Sequence, residues 1–147
     1  MSREWRIEFD QPAPLLSMND RKHWHKTAPW IRQWRAAAMI GALVQSAGVD
    51  DDRAYTFWSR LVRDKEQVPD GWVVPLPPCT VHITLPVATK AKRDPHNYFK
   101  TVKPLVDGLV DARLWPDDTP SWVTTVEPRL VVKAPKVVIT LTERTTP

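Results

Sequence analysis

The chain has 147 residues, one cysteine (Cys79) and a formal net charge of +4. This length predicts one domain, and 42% hydrophobic with 26% charged residues is ordinary for a globular protein and argues against general disorder. A single cysteine excludes an intrachain disulfide or a multi-cysteine zinc site and favours a reducing, cytoplasmic setting. No apolar run approaches the roughly 18 residues of a membrane span, and the N-terminus lacks the apolar segment of a secretory signal.

The first half of the chain predicts one strand and one helix. Residues 4–9 alternate apolar and polar side chains, which indicates a half-buried strand. Apolar residues three or four apart predict a helix from about 29 to 47, beginning near Thr27 or Pro29 and ending at Gly48. Residues 49–75 are expected to be largely irregular, with or without a short helix.

The same middle segment differs in charge from the rest of the chain. Residues 50–75 have 4 basic and 6 acidic groups, whereas 1–49 and 76–147 each have a net charge of +3. A solvated surface insertion is the simpler interpretation. A specificity loop at the rim of a site is the alternative.

The second half predicts three more strands and a second helix. Residues 79–87 alternate like a strand, and an apolar stripe indicates a helix capped near Thr101 and ended by Trp115-Pro116. Residues 125–132 and 136–143 predict two strands joined in an antiparallel hairpin. The expected fold is therefore α/β (α+β), with a small mixed four-stranded sheet and two main helices.

Basic residues collect between the predicted strand 79–87 and the second helix. They surround a single acid, Asp94, and comprise Lys90, Lys92, Arg93, Lys100 and Lys103. Such a cluster can bind phosphates. A solvated lysine-rich loop explains it equally well when it is considered alone.

Two groups of polar residues suggest chemistry. One is Asp94-Pro95-His96-Asn97, and the other is Asp117-Asp118. Either group alone is more often a surface turn. Together, beside a basic stretch, they suggest metal-dependent attack on nucleic acid, because hard divalent cations prefer carboxylate oxygens and neutralise phosphate charge.

The joint pattern resembles the RusA family of Holliday-junction resolvases, which are often encoded by phages. The run R-D-P-H-N followed by V-K-P-L-V-D-G-L-V-D-A-R-L-W-P-D-D is similar to the family's D-x-D-N, helix Lys and Asp, and W-x-D-D. Asp94, Asn97, Asp107 and the pair Asp117-Asp118 match those positions. The segment 14–21 resembles an early P-x-S-x-N stretch. The resemblance covers about residues 5–48 and 79–143 and leaves 49–78 as an unassigned insertion within a single domain, 1–147.

The resemblance implies a divalent-metal-dependent endonuclease that resolves Holliday junctions and other branched DNA by paired symmetric nicks. It implies a homodimer, because a two-fold protein matches a two-fold junction. It implies Mg²⁺ or Mn²⁺, no nucleotide cofactor and, for a phage protein, the cytoplasm of the host cell. The implied residues are, for the metal, Asp94, His96, Asp117 and Asp118; for catalysis, Asp94, His96, Lys103 and Asp118; and for DNA binding, Lys90, Lys92, Arg93, Asn97, Lys100 and Lys103.

Two departures from the family pattern affect these assignments. His96 replaces the family's second aspartate, so the site either prefers Mn²⁺ or is catalytically impaired. The interval from His96 to Asp107 is about three residues longer, so the family lysine matches either Lys100 or Lys103. We favour Lys103, because insertions fit better in a loop than in a helix.

The predicted helix also separates the two carboxylate groups. A helix from 101 to 113 spans roughly 18 Å. Asp94 precedes it and Asp118 follows it. Either the following loop doubles back, or the two groups meet across a dimer interface.

Two other functions are compatible with the sequence. The His96 change is also expected in a catalytically weakened protein that binds branched DNA without cutting it. The 8 tryptophans would suit a structural or interaction protein, although tryptophans more often fill cores.

Overall fold

The computed structural model describes residues 3–18, 24–45, 48–64, 68–69, 71, 73, 75–89 and 93–144. The predicted mixed α+β class is confirmed for this part of the chain. The elements in chain order are strand β1 (Glu4–Phe9), helix α1 (Trp24–Gln45), helix α2 (Asp51–Asp64), strand β2 (Cys79–Val87), a 3₁₀ helix (Pro95–Tyr98), helix α3 (Phe99–Asp111) and strands β3 (Val123–Thr125), β4 (Arg129–Val132) and β5 (Val137–Glu143).

The sheet has five strands, where four were predicted. The strand predicted at 125–132 contains the last residue of one short strand, β3, and the whole of another, β4. Both pair in parallel with β2, at successive parts of it. Between them, Val126 still donates to the Val81 carbonyl at 3.2 Å. Pro128 then interrupts the edge, because proline has no N–H to continue the ladder.

The predicted hairpin between the last two strands is wrong. β4 pairs in parallel with one edge of β2, whereas β5 pairs antiparallel with β2 and with β1. The order β1-β5-β2-β3 leaves β2 in the middle, with Ile83 and Ile7 both in register with Ile139. Alternation defines which face of a strand is buried, but it does not define which edge finds a partner.

The largest difference from the predicted helices lies in the middle of the chain, where a largely irregular segment with or without a short helix was expected. Residues 51–64 form α2, whose buried Ala54 and Phe57 and half-buried Leu61 follow a helical spacing. Asp50 caps the helix by accepting from Arg53 N at 2.9 Å. The segment beginning at Asp50 is therefore a packed helix with an acidic first turn.

The other two helices exist as predicted, with different ends. α1 begins at Trp24 and includes Pro29, while α3 begins at Phe99 and ends at Asp111. Thr101, predicted as a cap, lies inside α3 and is fully buried. Its hydroxyl is used by a distant part of the chain, as described below.

The core lies between the sheet and the helices. Ile139 and Leu141 of the sheet and Leu105 and Leu109 of α3 are fully buried. The six tryptophans with described side chains are all buried or half-buried, which confirms the expectation that they pack. No described helix combines the length and apolar character that a membrane crossing requires.

Candidate nucleic-acid and metal site

The N-terminal segment 14–18 packs against the start of α3. Thr101 Oγ1 accepts from Leu16 N and donates to Leu16 O, both at 2.8 Å. Met18 N donates to Asn97 O at 2.8 Å. The two blocks of sequence that carry the RusA resemblance are therefore neighbours in space, although about 80 residues of chain lie between them. Asn19 and Asp20 lie outside the described residues.

Asp94 and Asn97 form the turn that starts the 3₁₀ helix. Asp94 Oδ1 accepts from His96 N at 3.0 Å, and Asp94 O accepts from Asn97 N at 3.0 Å. The Asp94 side chain is exposed and is the N-cap of this helix. The backbone of Asn97 thus has a structural role at both its N–H and its carbonyl.

His96 lies against an aromatic ring. Its imidazole meets the Phe99 ring edge-on, with the ring centroids 5.2 Å apart. The residue is exposed. Its expected role at the metal stays a prediction.

Lys103 joins two carboxylates from different parts of the chain. Its Nζ lies 2.9 Å from Asp107 Oδ1, one helical turn further along α3, and also contacts Asp118 Oδ2. The loop after α3 therefore doubles back within one chain and returns Asp118 to the first half of the helix. A loop that doubles back was one of the two ways in which the sequence allowed the two carboxylate groups to meet. Here it brings Asp118 to Lys103 on α3, and a meeting of Asp118 with Asp94 stays a prediction.

The charges in this cluster shift each other's protonation. The hydrogen bond from Lys103, followed by its positive charge, lowers the pKa of Asp118 below its ordinary value. The hydrogen bonds to Asp118 and Asp107 raise the pKa of Lys103. Lys103 and Asp118 are thus held in their charged forms.

Asp117 has a local partner instead. Its Oδ1 accepts from Thr119 N at 3.0 Å and from Thr119 Oγ1 at 2.7 Å. Such side-chain to backbone bonds stabilise a turn. The turn at Asp117 helps to position its neighbour Asp118.

The described residues contain no group of three or more His, Cys, Asp or Glu side chains that could hold a metal ion. The predicted set of Asp94, His96, Asp117 and Asp118 is therefore not gathered as one cluster within this part of the chain. Asp107 and Asp118 do converge, on the Lys103 ammonium. One or two carboxylates with waters and substrate phosphates are the usual surroundings of Mg²⁺, so the pair suits a hard divalent cation.

Besides Asn97 and Lys103, described above, four residues were predicted to bind DNA. Lys90 and Lys92 lie outside the described residues, and Lys100 is exposed on α3. Arg93 is half-buried, with Nη2 3.4 Å from Thr89 Oγ1. Its Nε is buried with no hydrogen-bond partner among the described residues. Arg93 also lines a cleft of about 460 Å³ that includes Gln11, Ser17 and Tyr98.

Lys103, Asp107 and Asp118 together form what we call the Lys103 cluster. A second depression lies next to it. We call it the Phe99 groove. It has a volume of about 390 Å³ and is lined by Met18, Phe99, Val106 and Thr125, with Lys100 and Asp118 among its polar residues. It borders Lys103, Asp118 and the N-terminal segment at once.

Sequence reasoning missed two parts of this site. Asp107 was matched to the family helix but was not included among the metal ligands, although its spacing of four from Lys103 predicts contact on one helix face. The sequence does not predict that Met18 and Phe99 line one groove, because their proximity depends on the docking of segment 14–18 onto α3.

Comparisons of the chain with protein-family models, with curated proteins and with solved structures give no match.

Proposed function

We propose that this chain is a divalent-metal-dependent endonuclease that cuts branched DNA, with four-way junctions as substrate. The observation that carries the proposal is the convergence of Asp107 and Asp118 on a single cation, Lys103 Nζ. Asp118 and Lys103 line the same groove as the basic residue Lys100 and Met18 of the docked N-terminal segment. The RusA resemblance supports the same reaction from the residues alone.

In this proposal, Asp107 and Asp118 hold the metal ion. When bound, the ion neutralises phosphate charge and lowers the pKa of an attacking water. Lys103, released from the carboxylates, donates to a non-bridging phosphate oxygen and stabilises the charge that develops there. Arg93 and Lys100 bind neighbouring phosphates without reading sequence.

The resemblance also implies metal and catalytic roles for Asp94 and His96. The described residues do not gather these two with Asp118 as one cluster, so their part in the reaction is tested separately by Asp94→Asn below. Both precede α3, at the same end of the helix as Lys103. A homodimer completes the proposal, because two sites related by a two-fold axis can nick opposed strands of a junction symmetrically.

Cleavage of a synthetic four-way junction and of a matching linear duplex, in Mg²⁺ and in Mn²⁺, tests the proposal. We expect paired nicks in the junction only. Asp118→Asn and Asp94→Asn are expected to lower the cleavage rate at least a hundredfold while junction binding persists, because removing one catalytic group of this kind costs about 10²–10³. Asp52→Asn, an exposed aspartate on α2, is the matched control.

Two further variants separate the ligand pair proposed here, Asp107 and Asp118, from the ligand set that the resemblance implies. Asp107→Asn is expected to impair cleavage as much as Asp118→Asn. Asp117→Asn keeps an oxygen for the Thr119 turn and is expected to retain most of the activity. The opposite ranking would return Asp117 to the metal and remove Asp107 from it.

Other outcomes would support the rival functions. Tight, salt-dependent junction binding with no nick in either metal would indicate a binding protein that has lost catalysis. No affinity for DNA at physiological salt would contradict the proposal altogether and favour a structural or interaction protein.

A further inference from the structure

The Phe99 groove is apolar where its surroundings are charged. Met18, Phe99 and Val106 form its walls beside the Lys103 cluster. Met18 is 52% exposed, one of the few large apolar side chains left in solvent. The hydrogen bond from Met18 N to Asn97 O holds the backbone of this residue at the groove. An apolar surface at the edge of a charged site indicates a ligand that is itself partly apolar.

The charges at the groove identify the rest of the ligand. Lys100 is exposed and has no ion-pair partner among the described residues. Lys103 lies next to it with two carboxylates. An anionic group close to an apolar plane is therefore complementary to this surface. A nucleotide has both parts, since its phosphate is anionic and its base has a flat face that stacks on aromatic rings.

We infer that the Phe99 groove receives one unstacked nucleobase from the DNA strand bound at Lys103. A base inside a duplex keeps both faces stacked and cannot enter such a groove, whereas a base at a branch point costs less to unstack. The groove therefore favours branched over linear DNA without reading sequence. This inference rests on the proposed function, and names how the same site selects its substrate.

A double-mutant cycle, with one change in the protein and one in the DNA, tests the inference. Fluorescence anisotropy measures the affinity for the junction in EDTA, so that cleavage does not enter the result. The protein change is Phe99→Leu, which keeps an apolar side chain and removes the ring. The DNA change is an abasic nucleotide, placed in turn at each position flanking the branch point. We expect one abasic position to weaken wild-type binding about five- to a hundredfold, which is the range for loss of one base–aromatic stack. Phe99→Leu should show the same loss on the intact junction and no further loss on the abasic one.

Three controls make the cycle specific. Tyr55→Leu removes an aromatic ring that is 61% exposed on α2. It should leave unchanged the abasic penalty, which is the loss of binding affinity caused by the abasic nucleotide. An abasic nucleotide within an arm should have no effect on any variant. Met18→Ser changes an exposed groove residue and should reduce the abasic penalty, which keeps the test decisive if Phe99→Leu folds poorly.

The results separate this inference from the proposed function. Additive losses in the cycle, or an abasic penalty that Phe99→Leu and Met18→Ser leave intact, would overturn the groove assignment even if the wild type cuts junctions in Mg²⁺ or Mn²⁺. A wild type that neither binds nor cuts a junction would overturn the proposed function and the groove assignment together.

Discussion

Lys103 is a cation held at a position where two carboxylates meet. Its contacts with Asp107 and Asp118 neutralise part of the charge that would attract a metal ion. The ammonium and a divalent cation would compete for the same oxygens. Metal affinity in this protein is therefore expected to depend on a side chain that is not itself a ligand.

Lys103→Met is expected to tighten Mn²⁺ binding about five- to thirtyfold. Removing a unit charge at about 4 Å changes the energy of a nearby unit charge by about 1 kcal/mol in water, and about twice that for a divalent ion. Titration of Mn²⁺ followed by electron paramagnetic resonance measures the change. Lys136→Met, which removes a lysine paired with Asp10, is the control. Unchanged affinity in Lys103→Met would argue against a metal at this position.

The same ion pair gives a small pH dependence of stability. Because the pKa of Asp118 lies below its ordinary 3.8, its ionised form stabilises the fold above about pH 4, and this contribution disappears as the pH falls through the lowered pKa. The raised pKa of Lys103 means that its contribution is present below about pH 10.5 and disappears only at more alkaline pH.

The expected size is under about 1 kcal/mol, because Lys103 and Asp118 are 62% and 40% exposed and solvent screens them. Urea unfolding of wild type and Asp118→Asn from pH 2 to pH 7 measures it. The two proteins should differ slightly at pH 7 and converge at pH 2. A difference that grows towards acid would contradict the assigned direction.

At the scale of elements, α1 and α3 approach each other closely at Gly108. A Cβ at this position would collide with the Arg35 carbonyl oxygen and lie 2.9 Å from Ala38 Cβ. The same pair of helices is joined by Arg35, whose Nε and Nη2 lie 2.5 and 2.8 Å from the two oxygens of Asp111. Close packing at one point and a bidentate ion pair one turn away together define how α3 is oriented on α1.

Gly108→Ala is expected to lower the free energy of unfolding by about 1–3 kcal/mol. Alanine is favoured over glycine in an isolated helix by about 1 kcal/mol, so helix propensity alone would raise the free energy of unfolding. A decrease therefore indicates that the packing collision dominates. Chemical denaturation measures it. Gly41→Ala is the comparison, because its Cβ would meet the Ile7 Cγ2 atom at 2.8 Å, a side-chain atom that can move. A stabilised Gly108→Ala would mean that the helices are further apart than described.

At the scale of the whole molecule, segment 14–18 connects the N-terminal strand to the candidate site. Its contact with α3 depends on Thr101, a buried polar residue that satisfies both the N–H and the carbonyl of Leu16. Buried backbone groups without partners are costly, so this hydroxyl helps to keep the segment docked, together with the bonds from Met18 N to Asn97 O and from Trp34 Nε1 to Pro14 O. The Phe99 groove exists only when the segment is docked, because Met18 forms one of its walls.

Thr101→Val is expected to destabilise the protein by about 1–3 kcal/mol, since two buried groups lose a partner. We also expect slower junction cleavage at temperatures where the variant remains folded. Thr101→Ser keeps the hydroxyl and should restore most of both properties. Urea unfolding and cleavage assays on the same preparations measure the two effects. If the Val and Ser variants unfold at the same urea concentration, the hydroxyl does not hold the segment.

The sequence by itself determined the local structure and the residues that could carry chemistry. Alternation predicted β1, β2 and β5, the apolar stripe predicted α3, and the R-D-P-H-N and D-D runs identified the candidate polar residues. Local patterns suffice here because strand alternation and helix spacing depend only on neighbouring residues. Helix α2, which was left open as a short helix in a largely irregular segment, was also readable in this way, from Asp50 and the spacing of Ala54, Phe57 and Leu61.

Only the tertiary structure decided which distant residues meet. Strands with the same alternation of apolar and polar residues can pair with different partners. This is why the predicted hairpin was wrong and β5 lies between β1 and β2. The convergence of Asp107 and Asp118 on Lys103 depends on a loop that doubles back. The Phe99 groove depends on the docking of segment 14–18, to which the Thr101 hydroxyl contributes across 85 positions of sequence. Periodicity specifies the face that each element buries, whereas the contacts between faces are selected by packing the whole chain at once.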